Sequence, residues 1–380
     1  MTDSREPLLS GNWESQNRKR LARMITEHAH ADNYAVFDWD FTCIFFDVQY
    51  SFFIHQIEQL YFKLTPEAFA CAIRSGIPQD ACLKNAHTVY MNGSKAITVQ
   101  DVWEDLDARY RFLYGAYEGL NGSLPLNKLH ETHEYLDFKA KLLMLGGCAE
   151  HIASVDIAQS LTAGMSLEEL SRFTEASIDT ALQLPITHYE ITSPIDCAGK
   201  TGVITVSYAT GIRIQPEMQQ LLHLLRQYGI TPYVCSASQQ ELVRVFACNP
   251  KYGYNLKPEQ VFGRRQKTDA SGRVSIERDV AAPRPFGKGK ATTIQECMAP
   301  QHGGKPPILV AGDSDGDFYM MEAFRDSALL LIFNRYPTAQ ALIYPLIQAG
   351  LAERDNPDSS IIVQHRDHTT GCFTEYQRRS

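Results

Sequence analysis

Two aspartates, Asp38 and Asp40, stand directly behind the apolar run Tyr34-Ala35-Val36-Phe37. Carboxylates set against a buried strand are costly to desolvate unless something uses their charge. A metal ion would hold one of them, and the other could exchange a proton with a leaving group. The bland alternative is a strand end that caps a helix through Asp40 or Thr42. A second acidic group, Asp313, Asp315 and Asp317, follows the apolar run Ile308-Leu309-Val310-Ala311. Acids packed this closely suit an oxygen-liganded ion such as Mg²⁺. An EF-hand loop competes for the same residues, but neither the glycine nor the distal Glu is placed for one.

Two further segments carry weaker signals. Val234-Cys235-Ser236-Ala237-Ser238 is a strand-like run ending in hydroxyls ahead of a helical pattern. A Ser hydroxyl and a helix N-terminus both favour a phosphate oxygen, although an ordinary Ser N-cap explains the same residues. Gly287-Lys288-Gly289-Lys290 sets two lysines among glycines before a helical pattern that begins near Thr292. A lysine there could neutralise phosphate charge and offset that of a nucleophilic carboxylate; otherwise it is simply solvated.

The elements that must position these residues are legible from periodicity. Asn17 to His30 reads as an amphipathic helix feeding the first strand. From about Asp47 to Leu184 the pattern is mostly helical, with helices over Pro66–Arg74, Val99–Leu120 and Glu134–Leu145. Another is opened by Ser166 with Glu168 and Glu169 in its first turn. Strand character returns at Val203 to Tyr208. Pro216 then opens a helix over Glu217–Tyr228, closed by Gly229. Thr231–Cys235, Ile308–Ala311 and Ala328–Phe333 read as buried strands, and Gln239–Ala247 as a helix. Strand and helix in alternation give the α/β class, a Rossmann-like parallel sheet with helices on both faces. Such sheets bind ligands at the carboxyl ends of their strands, where these candidate residues fall. The expected organisation is an N-terminal helix and first core strand over 1–46, a large, mainly helical insertion over 47–200, and the rest of the core over 201–380.

Composition narrows the function classes. A 380-residue chain with 44% hydrophobic and 21% charged residues is long and apolar enough to bury a full core. A formal charge of −8 without a basic stripe argues against nucleic-acid binding. No apolar run is long enough to span a bilayer, and Met1 to Arg20 is too polar for a secretory signal. The nine cysteines are scattered, with no C-x-x-C pair, as expected of reduced thiols in a cytoplasmic protein. Nothing in the sequence specifies an oligomeric state.

Acid pair, Ser, Lys and acid cluster, taken in that order, resemble the four motifs of the haloacid dehalogenase superfamily. The likeness runs from Tyr34 to Arg335 apart from the helical block. It implies a helical cap inserted after the first motif, an Mg²⁺ cofactor and phosphoryl-transfer chemistry on a small phosphorylated substrate. By that resemblance Asp38 is the nucleophile and a metal ligand. Asp40 is the general acid and base, and binds the metal through its backbone carbonyl. Ser236 holds the phosphoryl oxygens and Lys290, with Lys288 as a rival, balances charge. Asp313 is the second side-chain ligand, while Asp317 binds the metal directly or through water, or orients the lysine. Dehalogenases of the superfamily attack carbon and need neither the second acid nor the metal, so Asp40 and the Asp313–Asp317 pair point to phosphoryl chemistry. A phosphotransferase or phosphomutase, and a non-catalytic metal- or phosphate-binding protein, are the alternatives. Within the superfamily the segments Val36–Leu60, Gly211–Ser238 and Ile308–Met321 are similar to phosphoserine-phosphatase-like enzymes, in particular bacterial phosphorylcholine phosphatases. Those enzymes carry acidic side chains after the first motif that pair with the trimethylammonium group; the matching positions here are Gln49 and Tyr50. The stripe Trp103, Tyr110, Tyr114 and Tyr117 reads as helix packing, with an aromatic cage for a cation as the alternative.

Overall fold

The computed structural model describes residues 9–85 and 88–375, so the first eight residues of the polar leader lie outside the described residues. Two compact units emerge. One takes the chain up to Val48, Ile212–Arg265 and the chain from Val280 on; the other takes Gln49–Gly211 and Gln266–Asp279.

The first unit is built on a seven-stranded sheet. Its order across the sheet is Phe373–Thr374, Ile361–Arg366, Leu329–Phe333, Leu309–Gly312, Asn33–Phe37, Ile230–Gln239 and Val261–Arg264. All neighbours are parallel except the short edge pair formed by Phe373–Thr374. Tyr34, Ala35, Val36 and Phe37 are each 0% exposed, so both faces of this interior strand are covered. That is why these strands read as continuous apolar runs and do not alternate. On one face Tyr34, Val36, Val310, Leu330 and Ile332 pack with Ile294, Met298, Met320 and Leu346. The helix Pro216–Gln227 begins with Pro at its first turn and Glu217 behind it, and Gln240–Cys248 follows its strand directly.

The second unit is mainly helical. Thr65 caps Pro66–Arg74, and capping boxes open Val99–Ala116 at Thr98 and Asp101, and Leu167–Gln183 at Ser166 and Glu169. Trp103 and Tyr110 lie in its core, where Tyr110 stacks on Phe69 at 4.0 Å and its hydroxyl donates to the Leu64 carbonyl. The stripe is therefore packing, and these two ring faces are not open to a ligand. Lys141, 0% exposed, is neutralised by Asp105 at 3.0 Å and Asp137 at 2.8 Å, as a buried ammonium must be.

Three expectations change. The strand expected at Val203–Tyr208 lies at Thr205–Thr210 and pairs antiparallel with Thr187–Thr192 inside the second unit. Its half-exposed alternation suits a two-stranded ribbon, which the buried parallel core strands do not show. A domain boundary at 200 therefore falls between the two strands of one hairpin. The Gln266–Thr268 and Val274–Arg278 pair also joins this unit, where Arg273 donates to the Gly164 carbonyl and to Glu169. Finally, the core gains the strand Ile361–Arg366, whose polar second half hid it from a search for apolar runs. No helix among the described residues is long and apolar enough to cross a membrane.

Candidate active site

Register brings the motifs to one edge of the sheet. Phe37 lies opposite Ala311 on one side and Val234 on the other. Asp38, Gly312 and Cys235 are thus level, and Asp313 and Ser236 follow one residue later. The Asp38 amide continues the ladder by donating to the Ala311 carbonyl at 2.9 Å.

The lysine arrives from the other side of the chain. The short helix Lys288–Thr293 carries it, so Lys290 sits on a turn of helix where a loop was expected. Gly289 makes this possible: a Cβ there would fall 1.9 Å from the Arg284 carbonyl oxygen. Lys290 Nζ donates to Asp38 Oδ1 at 2.5 Å and to Asp317 Oδ1 at 2.6 Å. Lys288 instead lies over the Tyr319 ring, 5.3 Å from its centroid.

Asp317 sits in the first turn of the helix Asp315–Ala323, and its Oδ2 accepts from the amides of Asp313 at 2.9 Å and Ser314 at 3.2 Å. Gly312 leaves room for that carboxylate, since a Cβ there would lie 2.6 Å from its Cγ. Asp313 Oδ2 accepts from an Arg335 nitrogen at 2.9 Å, and Thr42 Oγ1 lies 3.5 Å from its Oδ1. Asp315 turns away to accept from the Ile343 amide at 3.0 Å.

Asp40 is held separately. The Val48 amide donates to Oδ1 at 2.7 Å, and Ser238 Oγ donates to Oδ2 at 2.6 Å. Ser236 Oγ is 3.5 Å from the same oxygen and accepts from the Ser238 amide at 3.1 Å. Both serines lie where the pairing register shifts between Cys235 and Gln239, a bulge that re-aims the side chains.

The electrostatics follow from crowding acids out of water. Burial, then the Asp317 charge, raises Asp38 well above the carboxylate range, with Lys290 opposing. Burial pushes Asp313 up to about 6 against the Arg335 charge. Asp40 is also raised to about 6 by burial, against the hydrogen bonds from Ser238 and Val48. For Lys290, burial would lower the pKa, but the Asp317 and Asp38 charges outweigh it and hold the ammonium charged. One carboxylate oxygen from each of Asp38, Asp313 and Asp317 lies within 4.8 Å of the others, a hard-oxygen set that fits a small divalent cation.

Three contributors escaped the sequence reading. Ser238 is nearer Asp40 than Ser236 is, and only the bulge decides between them. Arg335 follows the buried strand Leu329–Phe333 by two residues, and the end-of-strand rule applied to the acids would have flagged it. The buried Arg366 donates to the carbonyls of Phe41 and Thr42, fixing the segment that follows Asp40.

The parallel sheet, the helical insertion and these converging residues resemble the hydrolases of the haloacid dehalogenase type. Among known proteins, the chain is 30% identical over 182 residues to the phosphorylcholine phosphatase of Pseudomonas aeruginosa. That match covers 42% of this chain and spans only 48% of the relative's length. A conserved, functionally unknown protein from Anaerococcus prevotii superposes with a TM-score of 0.88 at 27% identity, over 98% of each chain. No family model matches the sequence.

Proposed function

We propose that this protein is a Mg²⁺-dependent phosphatase that hydrolyses a small phosphomonoester through an aspartyl-phosphate on Asp38. The observation that carries the reading is the Lys290 ammonium clamped between Asp38 and Asp317 beside the Asp313 carboxylate. Asp38, Asp313 and Asp317, with the backbone carbonyl of Asp40, would hold the ion. Bound there, Mg²⁺ offsets the repulsion between a phosphate dianion and a carboxylate.

The remaining work belongs to the chain. An Asp38 carboxylate oxygen attacks phosphorus in line with the leaving alcohol, and Lys290 keeps that carboxylate aimed and its charge screened. Ser236 donates to a phosphoryl oxygen. Asp40 gives its proton to the leaving oxygen, then takes one from the water that attacks the phosphorylated Asp38. A carboxyl lifted to about 6 suits a group that must both lose and regain a proton near neutrality. The scattered cysteines fit a reducing, cytoplasmic setting. The likeness to a phosphorylcholine phosphatase puts phosphorylcholine and related amine or amino-acid phosphates first among substrates, with Gln49 and Tyr50 where acidic partners for choline would be expected.

The test is a panel of phosphomonoesters with Mg²⁺: phosphorylcholine, phosphoethanolamine, phosphoserine and nucleotides. Phosphate release should stop on chelation. Asp38→Asn should lower it by about four orders of magnitude with the thermal unfolding transition retained. Turnover that survives in Asp38→Asn overturns the reading.

A further inference from the structure

Four buried carboxylates converge at the candidate centre, Asp38, Asp40, Asp313 and Asp317, and three cations act on them, Lys290, Arg335 and the buried Arg366. One negative charge is left over. A divalent cation would turn that excess into a net positive charge of one, which attracts a phosphate dianion; without Arg335 the loaded cluster would be neutral.

Lys290 and Arg335 are held differently. Lys290 is 2% exposed and bridges two carboxylates. The Arg335 side chain is 42% exposed; one nitrogen reaches Asp313 Oδ2, and its guanidinium carbon lies 3.6 Å from the centroid of the Phe41 ring. That ring is itself fixed. Phe41 has φ of 55°, a left-handed backbone that disfavours a bulky side chain. It persists because the Phe41 amide donates to the Phe46 carbonyl at 3.0 Å and its carbonyl accepts from Arg366. The chain thus holds a strained residue as a platform for a half-exposed guanidinium beside a candidate metal ligand.

We propose that Arg335 is a charge-balancing residue, acting through Asp313 to make the loaded site attractive to phosphate while weakening its hold on the divalent cation. This rests on the phosphatase reading above. It differs from a merely structural role, in which Arg335 would only keep Asp313 in place. In that case its loss would weaken metal and phosphate binding alike.

Calorimetry separates the two without needing turnover. Mg²⁺ is titrated into the wild type, Arg335→Gln and Arg335→Lys, and inorganic phosphate is then titrated at saturating Mg²⁺. Arg335→Gln should bind phosphate roughly tenfold more weakly, with Mg²⁺ affinity unchanged or higher. Arg335→Lys, which keeps the charge and can still lie over the Phe41 ring, should recover most of the phosphate affinity that Arg335→Gln loses. The proposal is overturned if Arg335→Gln loses Mg²⁺ and phosphate affinity in parallel, or if its phosphate affinity does not move. A wild type that binds neither Mg²⁺ nor phosphate sinks the phosphatase reading itself, and this inference with it.

Discussion

Asp40 shows how a single side chain can be tuned by its neighbours. Burial raises its pKa to about 6, and the Ser238 hydroxyl and Val48 amide hold it from rising further because they donate to the charged form. Removing the hydroxyl in Ser238→Ala should therefore lift this ionisation by about one unit. The alkaline limb of the kcat/KM profile, where Asp40 must still carry the proton it gives to the leaving oxygen, would move to higher pH, and Ser238→Thr would restore it; an unshifted limb would show that Ser238 does not tune Asp40. At this scale the sequence announced Asp38, Asp40 and Asp313, because acids behind a buried run stand out. It left Ser236 and Ser238 undistinguished, since their roles depend on a bulge, and it was silent on Arg366, whose partners Phe41 and Thr42 lie far away in the chain.

Among the elements, the short helix Lys288–Thr293 bears the tightest constraint. The backbone of Arg284 occupies the space where a side chain at position 289 would begin, and backbone cannot swing aside. Gly289→Ala should cost about 1–3 kcal/mol in unfolding free energy and displace Lys290. Activity should then fall further than the stability loss explains, measured at a temperature where the variant is still folded. Equal activity in a folded variant would mean that the position of Lys290 matters little. Central strands were readable in advance because burial on both faces leaves a plain apolar signature. The Thr187–Thr192 and Thr205–Thr210 hairpin was not, because alternation reveals a strand without naming its partner. The capping residue Ser166 fixed its helix start closely, since a capping side chain is a local device.

For the whole molecule, His365 links stability to pH. It is buried in the strand Ile361–Arg366, where the Asn334 amide donates to its Nε2, and burial lowers its pKa to about 4. The ordinary value is about 6.5. As pH falls below that value the unfolded chain takes up the proton first. Stability present above pH 6.5 is thus lost progressively towards pH 4, by up to about 3 kcal/mol. Denaturant midpoints measured between these limits should fall in the wild type and fall less in His365→Gln; parallel slopes would assign the acid sensitivity elsewhere. The order of strands across the sheet has a consequence for synthesis on the ribosome. Its interior strand Asn33–Phe37 is made before both of the neighbours that hydrogen-bond to it, which begin at Ile230 and Leu309. That nascent apolar segment must stay unpaired while the intervening helices are translated. Closure of the sheet is therefore a late, long-range event, and the early segment is where a chaperone would have most to shield.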